Sequence, residues 1–88
     1  MSPELETLDQ LLGGDVPLSV VRTLYPDDPT FTRSIHAMLR AGDVRLLSAD
    51  GVDVPPWTWR ELFSDGKVWQ EILRFTLSAT EQGARRMT

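Results

Sequence analysis

The stretch DPTFTRSIHAMLRAGDVRLL, residues 28–47, decides the fold class, because its apolar period changes part-way along. Phe31, Ile35, Met38 and Leu39 keep the i, i+4, i+7, i+8 spacing that places four apolar side chains on one helical face. Asp28 followed by Pro29 reads as an N-cap and a first-turn proline, and Gly42 as a terminator just past the last turn. Arg33, His36, Ala37 and Arg40 fall on the opposite face. Beyond Gly42 the period becomes that of a strand, Val44-Arg45-Leu46-Leu47. Asp50-Gly51 is a tight-turn dipeptide, with Val52 and Val54 as a short return strand. A helix that passes through a glycine into a strand and a turn predicts an α+β chain.

On the N-terminal side, Ser2 is placed to cap a helix, Pro3 to open it, and Glu4 and Glu6 to complement its positive end. Leu5, Leu8, Leu11 and Leu12 give that helix, over about residues 3–12, one apolar face, and Gly13-Gly14 ends it. Pro17 opens a second short helix, with Leu18, Val21, Leu24 and Tyr25 as its buried candidates. The segment Tyr25-Pro26-Asp27-Asp28-Pro29 is a turn, since two prolines interrupt any helical ladder there.

On the C-terminal side, Pro55-Pro56 stops the return strand. Thr58 and Glu61 have capping-box spacing, with Trp57 and Leu62 placed as a hydrophobic staple, which predicts a helix over about 59–64. Ser64-Asp65-Gly66 releases it. The alternation of Trp69, Leu73, Phe75 and Leu77 with Gln70, Arg74, Thr76 and Ser78 predicts a half-buried strand starting near Ile72. Ser78 and Glu81 repeat the capping-box spacing and predict a short closing helix, in which Gly83 costs about 1 kcal/mol relative to Ala.

Composition narrows the functional classes. The 88 residues suit one small domain, and no linker divides them. There is no cysteine and a single histidine, so a disulfide framework, a thiol nucleophile and a His-rich zinc site are excluded. No apolar run approaches the roughly 20 residues of a membrane span, and Met1-Ser2-Pro3-Glu4 has no basic n-region, so a cytoplasmic location is expected. The net charge is −4, and residues 1–17 account for it with Glu4, Glu6, Asp9 and Asp15 against no base. Asp50-Gly51-Val52-Asp53 is too short for an EF-hand loop, and no Gly-rich phosphate loop is present. His36 has no sequence marker that places a nucleophilic Ser and a carboxylate around it. No enzyme, metal or cofactor is expected.

The order helix, short helix, turn, amphipathic helix, strand, hairpin, strand resembles a winged helix-turn-helix domain. Residues 18–83 carry the resemblance. Leu18-Ser19-Val20-Val21 looks like the first helix of the helix-turn-helix, and Thr30 to Ala41 like its recognition helix. Leu39-Arg40-Ala41-Gly42-Asp43-Val44-Arg45-Leu46 is similar to the family's passage from that helix through a glycine into a strand. Arg74-Phe75-Thr76-Leu77 looks like the last wing strand. The resemblance implies a small winged-helix-like α+β domain over residues 1–88. Three N-terminal helices lead to a small antiparallel sheet, and a helical insertion occupies the wing at about residues 49–70.

Two functional expectations follow. The insertion holds all three tryptophans, and an exposed Trp57 or Trp59 would serve as a platform for a protein partner or a second copy of the chain. The other reading of these rings is structural, with Trp57 stapling its helix and Trp59, Leu62, Phe63 and Trp69 sealing a thin core. The second functional expectation is DNA binding by helix 30–41. Thr30, Thr32, Arg33 and His36 would lie near base edges, Arg40 on the same face, and Arg22, Arg74, Arg85 and Arg86 at phosphates. Asp27 and Asp28 stand where a phosphate would approach that helix, and the acidic balance opposes counterion release. Protein–protein contact is therefore the leading expectation, with DNA binding as the alternative.

Overall fold

The structure is a computed structural model that describes residues 2–63 and 70–86. Helix α1 spans Pro3–Leu11, capped by Ser2, whose Oγ accepts the Leu5 N–H at 3.3 Å. A two-residue strand β1, Val16–Pro17, leads directly into α2, Leu18–Arg22. Helix α3 covers Asp28–Ala41, and β2 covers Val44–Leu47. Helix α4, Pro56–Phe63, is followed after the undescribed residues 64–69 by a 3-10 turn, Ile72–Arg74. Strand β3, Thr76–Ala79, and helix α5, Glu81–Arg86, complete the described chain. The three strands form one antiparallel sheet in the order β1-β3-β2, with Val16 and Leu46 both paired to Leu77. This is an α+β fold in which β1 lies between α1 and α2, where the sequence reading has three helices before any strand, and α4 is inserted in the β2–β3 connection. It is compatible with a small winged-helix-like domain.

The core follows the expected stripe of α3, but that of α1 only in part, since Leu8 and Leu11 are buried whereas Leu5 and Leu12 turn to solvent on the far side of the helix. Phe31, Ile35, Met38 and Leu39 of α3 are buried with Leu8, Leu11, Leu18, Val21, Val44, Leu46 and Leu77. Tyr25 joins them, its ring edge-on to Phe31 with centroids 5.5 Å apart and its hydroxyl 3.2 Å from Thr7 Oγ1. That pair of contacts ties α1 to the turn between α2 and α3. Gly42 ends α3 in the left-handed region, φ 84°, where a Cβ would be strained.

Several boundaries differ from the sequence reading, each for a local reason. Pro17 pairs in β1 as well as standing at the N-cap of α2, because the edge position of that strand tolerates a residue without an N–H, and Leu18 N–H then donates to Phe75 O at 2.9 Å. The cap of α3 is Asp27, not Asp28. Its Oδ1 accepts the Thr30 N–H at 2.8 Å, three residues on, which leaves Asp28 inside the first turn and free to pair with Arg22 at 2.7 Å.

The return segment makes a Leu47–Asp53 bridge, with Ser48 N–H donating to Val52 O at 2.8 Å and Val54 N–H to Leu46 O at 2.9 Å, so it is an isolated hairpin bridge and not a full strand. Helix α4 starts at Pro56, three residues before the predicted start, and Thr58 lies inside it with its hydroxyl donating back to Pro55 O. The strand expected near Ile72 begins at Thr76. Ile72–Arg74 coil instead into a 3-10 turn that buries Ile72. Trp69 and Ser64-Asp65-Gly66 lie outside the described residues.

Helix α5 is seated on the junction between α3 and β2. Thr80 donates its hydroxyl to Gly42 O at 2.6 Å and its N–H to Asp43 O at 3.1 Å, and its Oγ1 accepts the Gly83 N–H at 3.1 Å. The cap of the closing helix is thus Thr80, two residues later than the capping-box spacing indicates. Asp43 is 1% exposed, and its carboxylate accepts from Gln82 and Arg86 of α5. Gly83 packs so tightly on the Asp43 carbonyl that any Cβ there would overlap its oxygen. An Ala in a helix ordinarily gains up to about 1 kcal/mol over Gly. Here Gly83→Ala reverses sign and costs about 1–3 kcal/mol, the typical range of an overpacked contact. Urea denaturation of Gly83→Ala measures this; unchanged or increased stability would show that α5 does not sit on Asp43.

Candidate interaction surface

Helix α3 buries one face and shows the other. At 100° per residue, Arg33, Ala37 and Arg40 form its outermost stripe, and all three are exposed. Ser34 lies on one flank of the stripe and His36 on the other. The Ser34 hydroxyl donates to Glu4 Oε1 of α1 at 2.9 Å. The His36 ring stacks on Phe63 of α4, with centroids 6.1 Å apart and planes at 22°. The outer face of α3 is consequently the floor of a shallow groove of about 480 Å³, edged by Glu4 on the α1 side and Phe63 on the α4 side.

Two arginines act on His36 in this groove. Folding pushes the His36 pKa below its ordinary value, first because the ring is partly desolvated and then because Arg40 and Arg60 stand near it. The N-terminal end of α3 carries the acidic Asp27. The Asp27 carboxyl is held below the usual carboxylate range by its bonds to Thr30.

The structure gathers some of the sequence-predicted residues and separates others. Thr30, Arg33, His36 and Arg40 line one groove. Thr32 does not join them. It is 1% exposed and donates its hydroxyl to Pro29 O, because it sits only 100° from Phe31 at the edge of the buried stripe. Arg74 is exposed on the 3-10 turn that packs against α2, away from the groove lining. Of the other arginines assigned to phosphates, Arg22 is paired with Asp28, Arg85 with Glu81 and Arg86 with Asp43.

The two described tryptophans part company. Trp59 is half-buried against the core and donates its Nε1–H to Val54 O at 3.1 Å. Trp57 is 80% exposed. It therefore does not staple the helix, and Thr58 and Trp59 anchor α4 without it. Phe63, which the sequence reading names only as a core residue, also lines the groove, and Arg60, which that reading does not name, stands near His36. Their positions seven and four residues after Pro56 mark one face of α4, but nothing in the sequence says which helix that face meets.

Among the described residues, no group of three or more His, Asp or Glu side chains could hold a metal, and no helix is long and apolar enough to cross a membrane. No protein-family model matches the chain, and no curated protein or solved structure matches it.

The His36 environment has a measurable consequence. With the folded pKa below the unfolded one, the unfolded chain binds more protons between the two values, so stability rises with pH across that window. Stability is expected to fall as pH drops below about 6.5, the ordinary histidine value, until the folded pKa is passed. NMR titration of this single histidine should give a pKa below that of a free peptide, raised again in Phe63→Ala and Arg40→Ala. An unshifted titration would refute the stacked arrangement.

Proposed function

We propose that the chain is a non-enzymatic, winged-helix-like interaction module that works through protein–protein contact centred on Trp57. The exposure of this ring is the observation that carries the reading. An indole left largely in water forfeits the burial that a thin core could use. It is presented on a helix whose other apolar side chains, Trp59, Leu62 and Phe63, are packed against the core, so the ring is offered from a rigid base. Trp is the residue type most enriched at interface hot spots, where truncation costs about 2 kcal/mol or more, roughly a 30-fold loss of affinity. The order of the elements supports placing the chain with winged-helix domains.

DNA contact through α3 is the second reading, carried by the basic stripe of Arg33 and Arg40 with His36 and Thr30 beside it. Against it stand the acidic Asp27 and Asp28 at the start of α3 and the engagement of Arg22, Arg85 and Arg86 with carboxylates. The two readings separate cleanly. Trp57→Ala should remove specific co-purifying proteins while leaving the denaturation midpoint unchanged, and Arg33→Ala with Arg40→Ala should leave them in place. An identical set of partners with Trp57→Ala, together with duplex binding at about 50 mM salt that the Arg33/Arg40 double variant loses, would overturn the protein reading in favour of DNA.

A further inference from the structure

Charge on this chain is separated onto neighbouring helices. The outer face of α1 carries Leu5, Asp9 and Leu12 within a 60° arc, with Glu6 beside them. Leu5 and Leu12 are 40% and 49% exposed, two of the five large apolar side chains left outside the core among the described residues. Next to α1 lies α3 with its exposed Arg33–Ala37–Arg40 stripe. Between the two helices runs a groove of about 440 Å³ whose apolar lining is Leu5, Leu8, Ala37, Met38 and Ala41, with Glu4 and the paired Asp43 and Arg86 also at its wall. One face of the molecule thus presents an acidic strip, an apolar trough and a basic strip, side by side.

Such a face is complementary to itself. A two-fold axis lying along the trough turns the acidic strip of one copy onto the basic strip of the other, and the reverse, with trough against trough. Leu5 and Leu12 flank Asp9 on α1, and Arg33 and Arg40 flank the small Ala37 on α3, so each strip runs over about two helical turns. Ala37 and Ala41 let a facing helix approach closely, and the exposed leucines supply the apolar contact between the charged pairs.

We propose that this chain forms a two-fold dimer in which Leu5, Glu6, Asp9 and Leu12 of α1 dock on the Arg33–Ala37–Arg40 stripe of the second copy. The inference deepens the interaction-module reading by naming a second copy as one partner. It rests on a surface that excludes Trp57, so the two fail independently. Glu4 accepts from Ser34 within its own chain and is left out of the acidic strip. The acidic balance of residues 1–17 then has a function: it is the counter-charge to a basic face on another copy.

Reciprocal charge reversal tests this, because all four substitutions lie outside the core. Glu6→Arg with Asp9→Arg makes both strips basic, and Arg33→Glu with Arg40→Glu makes both acidic. Sedimentation equilibrium of the wild type should show a monomer–dimer equilibrium that weakens as salt rises. Each reversed protein alone should associate at least about 100-fold more weakly, since like charges then face each other at both contacts. An equimolar mixture of the two should recover the dimer, because every contact is again between opposite charges. Circular dichroism melts establish that each variant is folded, and Trp57→Ala should dimerise as the wild type does. A wild type that stays monomeric up to about 1 mM, reversed variants that dimerise unchanged, or a mixture that stays monomeric would each overturn the proposal. So would a monomeric wild type whose α3 stripe binds duplex DNA instead.

Discussion

Strand β3 is the last strand in the chain and the middle strand of the sheet, and the other elements take their places from it. Leu77 is fully buried between Val16 on one side and Leu46 on the other. The backbone just before it, Phe75 O, receives the Leu18 N–H that starts α2. Just after it, Thr80 bonds to Gly42 and Asp43 and so fixes where α3 ends and β2 begins. Bringing residue 77 to residue 16 closes a long loop, yet loop-closure entropy grows only with the logarithm of length. That slow growth is why the β2–β3 connection can hold an extra helix without unseating the sheet.

The second organising fact is that α3 serves two surfaces at once. Its inner face fills the core, and its outer face collects the local positive charge. Neither net charge nor residue counts describe this arrangement. A chain of −4 presents a basic floor because its excess acid lies on α1 and, with Asp15, in the loop after it, while Asp27 caps α3 and Asp28 pairs with Arg22. Local placement, set by 100° steps around two adjacent helices, is what a partner meets.

Much of this was legible in the residues themselves. The four-residue stripe from Phe31 to Leu39, the Gly42 stop and the Val44–Leu47 strand are local patterns, and local patterns survive folding. The arginines of the outer face could be placed for the same reason. Thr32 was misplaced because a helical wheel gives angles but not the width of the buried arc. Asp27 and Asp28 were interchanged because two adjacent acids satisfy the same capping pattern, and only the reach to Thr30 separates them. The strand start at Ile72 was misread because alternation alone does not report whether a partner strand is long enough to pair with; β1 offers only two residues.

What the sequence determined by itself is the period of each segment, the punctuation by Gly and Pro, and the sign of the charge on each helix. These depend on neighbours within about four residues. What the tertiary structure decided is everything that depends on a distant neighbour: the pairing of Pro17 in a strand, the stacking of Phe63 on His36, and the split between a half-buried Trp59 and an exposed Trp57. It also gave Gly83 its meaning. By propensity that glycine weakens a short helix, and in the fold it is the side-chain-free position that lets α5 close on the Asp43 carbonyl. Propensity is a property of one segment, whereas that contact exists only when two segments meet.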